Sequence, residues 1–170
     1  MKKIVLLSII IGTLLFSCCA NAEELHSRVF DNVGIITDLG ESSNEQESLH
    51  LLETLINDSR EKYGFDIAIL TLSDFIGYDT HETLAESFYR SMSLGIGSNK
   101  SGILFIVDCN QELCYIYAHG DCLNWLSEQD KQIATDRIAS AIWQSRVTLE
   151  INLATAVLFW DACEEWQSVQ

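Results

Sequence analysis

The sequence predicts an α/β domain, a three-layer α/β/α sandwich with a small mixed central sheet of about four strands flanked by helices. Three observations carry that expectation. Residues 65–72 (FDIAILTL) and 103–107 (ILFIV) are apolar runs of strand length, the pattern of strands buried on both faces. Segments of helical periodicity precede each of them. A short turn, Asn110-Gln111-Glu112, follows the second run and returns the chain as a third strand over 113–118.

The elements follow in order. Ser42 and Glu45 are spaced as a capping box, and Leu49, Leu52 and Ile56 recur at helical spacing behind them. Leu51 and Leu55 widen that stripe, and Gly64 after Tyr63 is a C-terminal stop. The strand 65–72 comes next. Asp79 and Glu82 form a second capping-box pattern, opening a helix through Leu84, Phe88 and Met92. Gly95, Gly97 and Gly102 bracket a loop before the next strand. Ser127 with Asp130 opens a further helix, whose apolar side is expected at Ile133, Ile138, Ala141 and Ile142. A last helix is expected from about Leu149 to Trp166, too short in its apolar stretch to cross a membrane. The ladder reads strand, helix, strand, helix, strand hairpin, helix, helix.

The N-terminus carries an export signal. Lys2 and Lys3 precede a mostly apolar run over residues 4–16, and Ala20-Asn21-Ala22 is a small-x-small cleavage site. Residues 1–22 are therefore expected to be removed, leaving 23–170 as one domain that is exported, periplasmic or secreted. A second route competes: Leu15-Phe16-Ser17-Cys18 resembles a lipobox, which would make Cys18 a lipid anchor and the chain an outer-surface lipoprotein. Of 170 residues, 148 remain, enough for one core. The ten basic residues fall to eight against 25 acidic ones, a formal charge of −17. Such a surface repels nucleic acid and anionic headgroups and attracts cations.

Cys109, Cys114, Cys122 and Cys163 lie beyond residue 22, an even number in an exported chain, which suggests disulfides. Cys109 and Cys114 flank the four-residue turn of the hairpin, so a Cys109–Cys114 bridge is expected, with Cys122–Cys163 stapling the last helix to the end of the sheet. No Cys-x-x-Cys pair supports a thiolate metal site instead.

An ordered set of segments resembles the TPM domain family. Val29-Phe30-Asp31-Asn32-Val33-Gly34-Ile35-Ile36 is similar to its V-x-D-x-A-G-x-L opening. Tyr63-Gly64 before the strand 65–72 is similar to its helix end and apolar strand. Gly77, Glu82, Ala85 and Phe88 match its next helix. Leu94-Gly95-Ile96-Gly97 followed by the run 102–107 matches its "GIG…NG-V-L-L-L-V" stretch. The resemblance spans residues 28–145. It implies an α/β/α sandwich on the outer side of a membrane, with acid phosphatase activity and calcium or magnesium binding attributed to some members. Asp31 keeps the acidic position of the first motif. Lys100 stands where an Asp is usual, Ser101 where an Asn is usual, and His119 within a Gly-Tyr-Gly position.

Hard cations need several oxygen ligands. Asp31, Asp108 and Asp121 adjoin strand or motif ends, where open α/β sheets build their sites, and are the metal candidates. Asp74 and Asp79 are weaker ones. His119 is the candidate proton shuttle. Catalytic motifs are otherwise missing: no Gly-x-Ser-x-Gly elbow, no phosphate loop and no His-Glu-x-x-His occurs. Three functions follow as expectations: a non-catalytic binding or assembly module that engages other envelope or membrane proteins, a divalent-metal-dependent phosphatase, or a domain that binds calcium for stability.

Overall fold

The computed structural model describes residues 28–36, 43–73, 77–142, 144 and 151. Its core is a four-stranded sheet of order β1-β2-β3-β4: β1 (Val29–Asp31), β2 (Asp66–Leu72), β3 (Gly102–Asp108) and β4 (Leu113–His119). The first three run parallel, and β4 returns antiparallel through the hairpin. The α/β architecture and mixed sheet read from the sequence are present.

Both buried runs became strands because water reaches neither of their faces. All seven residues of β2 and all seven of β3 are buried. β4 alternates half-buried and buried residues, as befits an edge strand. Alternation splits the core in two. On one face Ile67, Ile69, Ile103, Phe105, Val107 and Ile116 pack with Leu52 and Ile56 of α1 (Ser43–Asp58) and with Ala134 and Ile138 of α4 (Glu128–Ile142). On the other face Ala68, Leu70, Leu104 and Ile106 pack with Ala85 and Tyr89 of α2 (His81–Ser91). A short helix, α3 (Cys122–Trp125), joins β4 to α4 and buries Cys122.

The two crossovers have opposite hands. β1, β2 and β3 lie side by side in chain order, yet α1 covers one face and α2 the other. Two crossovers stepping the same way across a parallel sheet share a face only when they share a hand. One of these is therefore left-handed, against the usual rule.

Helix ends confirm some expectations and shift others. A π-helical turn, Ser59–Tyr63, prolongs α1 to Gly64, whose φ of 70° is left-handed. Asp79 does not cap α2. Thr80 does, one residue on: its side chain accepts the Thr83 N–H at 3.2 Å, and the Thr83 hydroxyl accepts the Thr80 N–H at 3.2 Å. Ser127 caps α4 through the Asp130 N–H at 3.2 Å, as expected. Ile133, expected on the apolar side of α4, is 48% exposed; Ala134 takes its place in the core. Ser42, the cap expected for α1, and the helix 149–166 lie outside the described residues, apart from Ile151, which is helical and buried.

The expected Cys109–Cys114 bridge is not formed; both are free thiols, as is Cys122. Register is the reason. Cys114 stands opposite Val107, not Cys109, which lies beyond the last residue of β3. Cys163, the other half of the second expected bridge, falls outside the described residues.

Candidate functional site

Parallel strands bring their carboxyl ends to one edge of the sheet, and there the structure gathers Asp31, Thr71, Asp108, Cys109 and His81. Asp31 ends β1 and closes the loop that follows. One of its oxygens accepts the Gly34 N–H at 3.0 Å and the Thr71 hydroxyl at 2.6 Å; the other accepts the Ile36 N–H at 3.0 Å. Asp108 ends β3 with 1% exposure. It accepts the backbone N–H groups of Asn110 and Gln111 at 3.0 and 2.9 Å, and its other oxygen meets His81 Nε2 at 3.1 Å. His81 stacks at 6.0 Å on Tyr115 of β4. Each carboxylate thus holds the turn that follows its own strand.

Asp121 sits at the opposite edge. Gly102 pairs with His119 at one end of the β3–β4 ladder and Asp108 with Leu113 at the other, a separation of roughly 20 Å over seven residues. Asp121 accepts the Asn99 side-chain N–H at 2.8 Å and the Ser101 hydroxyl at 2.9 Å. The Ser101 oxygen in turn accepts the Asp121 N–H at 3.0 Å. The structure therefore unites Asp31 with Asp108 and leaves Asp121 apart. Among the described residues no group of three or more His, Cys, Asp or Glu is arranged to hold a metal ion. The residues present do not fit a calcium or magnesium ion shared by the three aspartates: they do not converge, and backbone and hydroxyl donors already face their oxygens.

His119 is likewise built into a loop contact. Its Nδ1 lies 3.1 Å from the Lys100 carbonyl, and its ring stacks on Tyr89 at 5.1 Å. The Tyr89 hydroxyl donates to the same carbonyl at 3.0 Å. Burial first, and the nearby Asp66 second, push that phenol well above its ordinary value, so it stays a neutral donor. This loop requires a glycine at position 95: its φ is +87°, and a Cβ there would press into the Lys100 carbonyl and the Tyr89 hydroxyl.

Sequence reasoning missed the most buried charge cluster. Asp66, 1% exposed at the start of β2, lies 2.8 Å from Arg60 Nη1 and 3.0 Å from Arg28 Nε, and accepts the Gly95 N–H at 3.2 Å. The signal was a single acidic residue opening an otherwise apolar strand. Its partner Arg28 is 38 residues away in sequence, beyond the reach of local pattern.

The thiols are not primed as nucleophiles. Burial pushes Cys114 far up and Cys122 up to about 12. Cys109 is raised by burial and then by Asp108 and Asp31. All three are protonated near neutral pH, and the thiolate is the reactive form.

A groove of about 490 Å³ runs along β4. It is bounded by Glu82 of α2 on one side and by Leu123, Glu128, Lys131 and Gln132 on the other, with Tyr115 and Tyr117 on its floor.

Fold and site together define a small α/β domain whose loops are tied down by carboxylates and whose open sheet edge carries a groove. Comparison with solved structures finds the same fold elsewhere. The N-terminal domain of the cg2496 protein from Corynebacterium glutamicum superposes with a TM-score of 0.56 at 15% identity, covering 84% of each chain. An N-terminal domain of a P. gingivalis protein gives 0.60 at 16% identity, over 79% of this chain and 80% of that one. BA42 from the psychrophilic bacterium Bizionia argentinensis gives 0.56 at 13%, over 70% of this chain and 80% of that one. Identities this low show the shared fold alone. No family model matches the chain, and no curated protein is similar to it. No helix among the described residues is long and apolar enough to cross a membrane.

Proposed function

We propose that this chain is an exported domain of the TPM type that works as a non-catalytic binding module of the cell envelope. The observation that carries the reading is the division of labour between the two ends of the sheet and its β4 flank. The acidic candidates at the strand and motif ends, Asp31, Asp108 and Asp121, spend their oxygens on holding loops. The β4 flank combines a groove, an exposed leucine and half-buried aromatic rings. The export signal at residues 1–22, with Cys18 as the competing lipidation site, supports action outside the cytoplasm.

The rival reading, a divalent-metal-dependent phosphatase, draws on Asp31 and Asp108 sharing one edge beside His81. A calcium site that serves stability alone draws on the same two residues. One experiment separates all three. The chain, as its host processes it, is melted in EDTA and then in millimolar calcium or magnesium, and assayed against p-nitrophenyl phosphate. A binding module shows neither a metal-dependent rise in melting temperature nor turnover. A ligand at a hundred times its dissociation constant would add about 2.7 kcal/mol, a rise that melting resolves. Such a rise, lost in Asp31→Ala, would establish the calcium reading; turnover lost in the same variant would establish the phosphatase.

A further inference from the structure

β4 is the last strand of the sheet, and its backbone direction identifies which groups it leaves open. The Asp66 N–H donates to the Ser101 carbonyl at 3.0 Å, and the Cys109 N–H donates to the Leu72 carbonyl at 2.9 Å. A strand residue turns its N–H and C=O to the same side. The odd-numbered residues of β3 therefore bond toward β2 and the even-numbered ones toward β4. Leu104 pairs with Tyr117, Ile106 with Tyr115 and Asp108 with Leu113. So Leu113, Tyr115 and Tyr117 spend their backbone groups on β3, while Cys114, Ile116 and Ala118 turn theirs outward. Among the described residues, no backbone partner outside β3 meets any of the three. All three also line the groove.

We infer that the β4 edge receives an extended, lysine- or arginine-bearing segment of another polypeptide, which adds a fifth strand to the sheet. The inference rests on the binding-module reading and names its partner class. Strand addition supplies affinity through the ladder and specificity through alternate side chains, and the groove offers both. Leu123, 59% exposed, presents an apolar contact on one side of the edge. On the other, Tyr115 and Tyr117 lie beside Glu82, an exposed acid with no partner among the described residues. The one cation of the groove, Lys131, is held by Glu128 at 2.6 Å. The chain carries a formal charge of −15 before any processing. Charge therefore selects the occupant. A second copy paired edge to edge would set the same acids and the same net charge against each other, whereas a basic strand would neutralise them.

The test uses amide hydrogen exchange on the ¹⁵N-labelled chain, as its host processes it. The probe is a blocked ten-residue peptide alternating lysine with valine. Controls are the same peptide with glutamate for lysine, and the lysine peptide with prolines that forbid a ladder. The lysine peptide is expected to slow exchange at Cys114, Ile116 and Ala118 at least tenfold, with neither control doing so. The double variant Glu82→Gln, Glu128→Gln, changed only at exposed positions, should bind it roughly fivefold more weakly. Binding that leaves those three amides unprotected would overturn the edge as the docking site while sparing the binding-module reading. Protection of the three in a dimer without peptide would make a second copy the occupant and overturn the basic segment. Equal binding of the glutamate peptide would overturn the charge argument. Metal-dependent turnover is the separate outcome that removes the parent reading.

Discussion

Replacing Asp66 by Asn should be the most damaging single-atom change in the domain. The carboxylate is 1% exposed, and two guanidiniums close on it, Arg60 at 2.8 Å and Arg28 at 3.0 Å, both with side chains only 13% exposed. A neutral amide keeps the volume but leaves two positive charges facing each other with little water to screen them. Removing one partner of a buried ion pair costs about 3–5 kcal/mol, because the other charge stays buried and uncompensated. The Gly95 N–H also loses the charge of its acceptor, and a hydrogen bond to a charged group contributes about 1.5–3 kcal/mol. These terms overlap, so the expected loss is about 4 kcal/mol in total. Against a domain stability of about 5–15 kcal/mol that is a large fraction, and melting should fall by roughly 10 °C. Urea unfolding monitored by tryptophan fluorescence measures it. A matched control is Lys62→Ala, which breaks an exposed pair with Asp58 and should cost less than about 1 kcal/mol. A loss in Asp66→Asn no larger than in Lys62→Ala, at unchanged m-value, would refute the claim that this cluster ties β2 to the turns around it.

Two further outcomes follow from the same geometry. The Cys122 thiol is protonated in the folded chain up to about pH 12, whereas an unfolded thiol ionises near pH 8.5. The folded state therefore holds its proton longer, and stability, level below about pH 8.5, should fall as pH rises toward 12; Cys122→Ala should make that decline shallower in urea midpoints taken from pH 7 to 11, the raised Cys114 thiol supplying part of what remains. Gly95→Ala should cost about 2 kcal/mol or more, since left-handed φ and a crowded Cβ act together. Gly64→Ala, left-handed but in open space, should cost only about 1 kcal/mol.

Much of the fold was legible because burial writes itself into local pattern. The runs 65–72 and 103–107 have no polar face, so they had to be central strands, and they are β2 and β3. The helix stop at Gly64 and the cap at Ser127 are local events, fixed within four residues. The cap of α2 was missed by one position because Asp79 and Thr80 are both good caps with a polar residue three places on. Only the turn geometry decides between them, and the reciprocal Thr80–Thr83 bonds settle it. Ile133 was misplaced for a similar reason: a shift of one residue rotates a helix face by 100°, and small Ala134 could take the core position.

What stayed hidden depends on hand and register, which no local pattern encodes. Equal periodicity describes α1 and α2 wherever they cross, so the opposite hands of the two crossovers are invisible until the faces are seen. The same holds for the hairpin. Cys109 and Cys114 are five residues apart, and a register shifted by two residues would have joined them; the observed register pairs Asp108 with Leu113 and Val107 with Cys114, and sends Cys109 past the strand end.

Register also decides what the acidic residues do. Asp31 and Asp108 share an edge because β1 and β3 are parallel, and Asp121 is excluded because β4 turns back. An acid at the end of a parallel strand meets the N–H groups of its own following turn before any ligand, which is how Asp31 and Asp108 are engaged here. The same antiparallel return leaves β4 as an edge on which, among the described residues, no backbone partner outside β3 meets Cys114, Ile116 or Ala118. Natural sheets normally blunt such an edge with charge or a bulge. Here β4 runs seven residues with a regular ladder and two tyrosines, and the charge is placed beside it, on Glu82 and Glu128, rather than on it. That arrangement repels another acidic copy of the chain while leaving the ladder itself available, which is the property a strand-accepting surface requires.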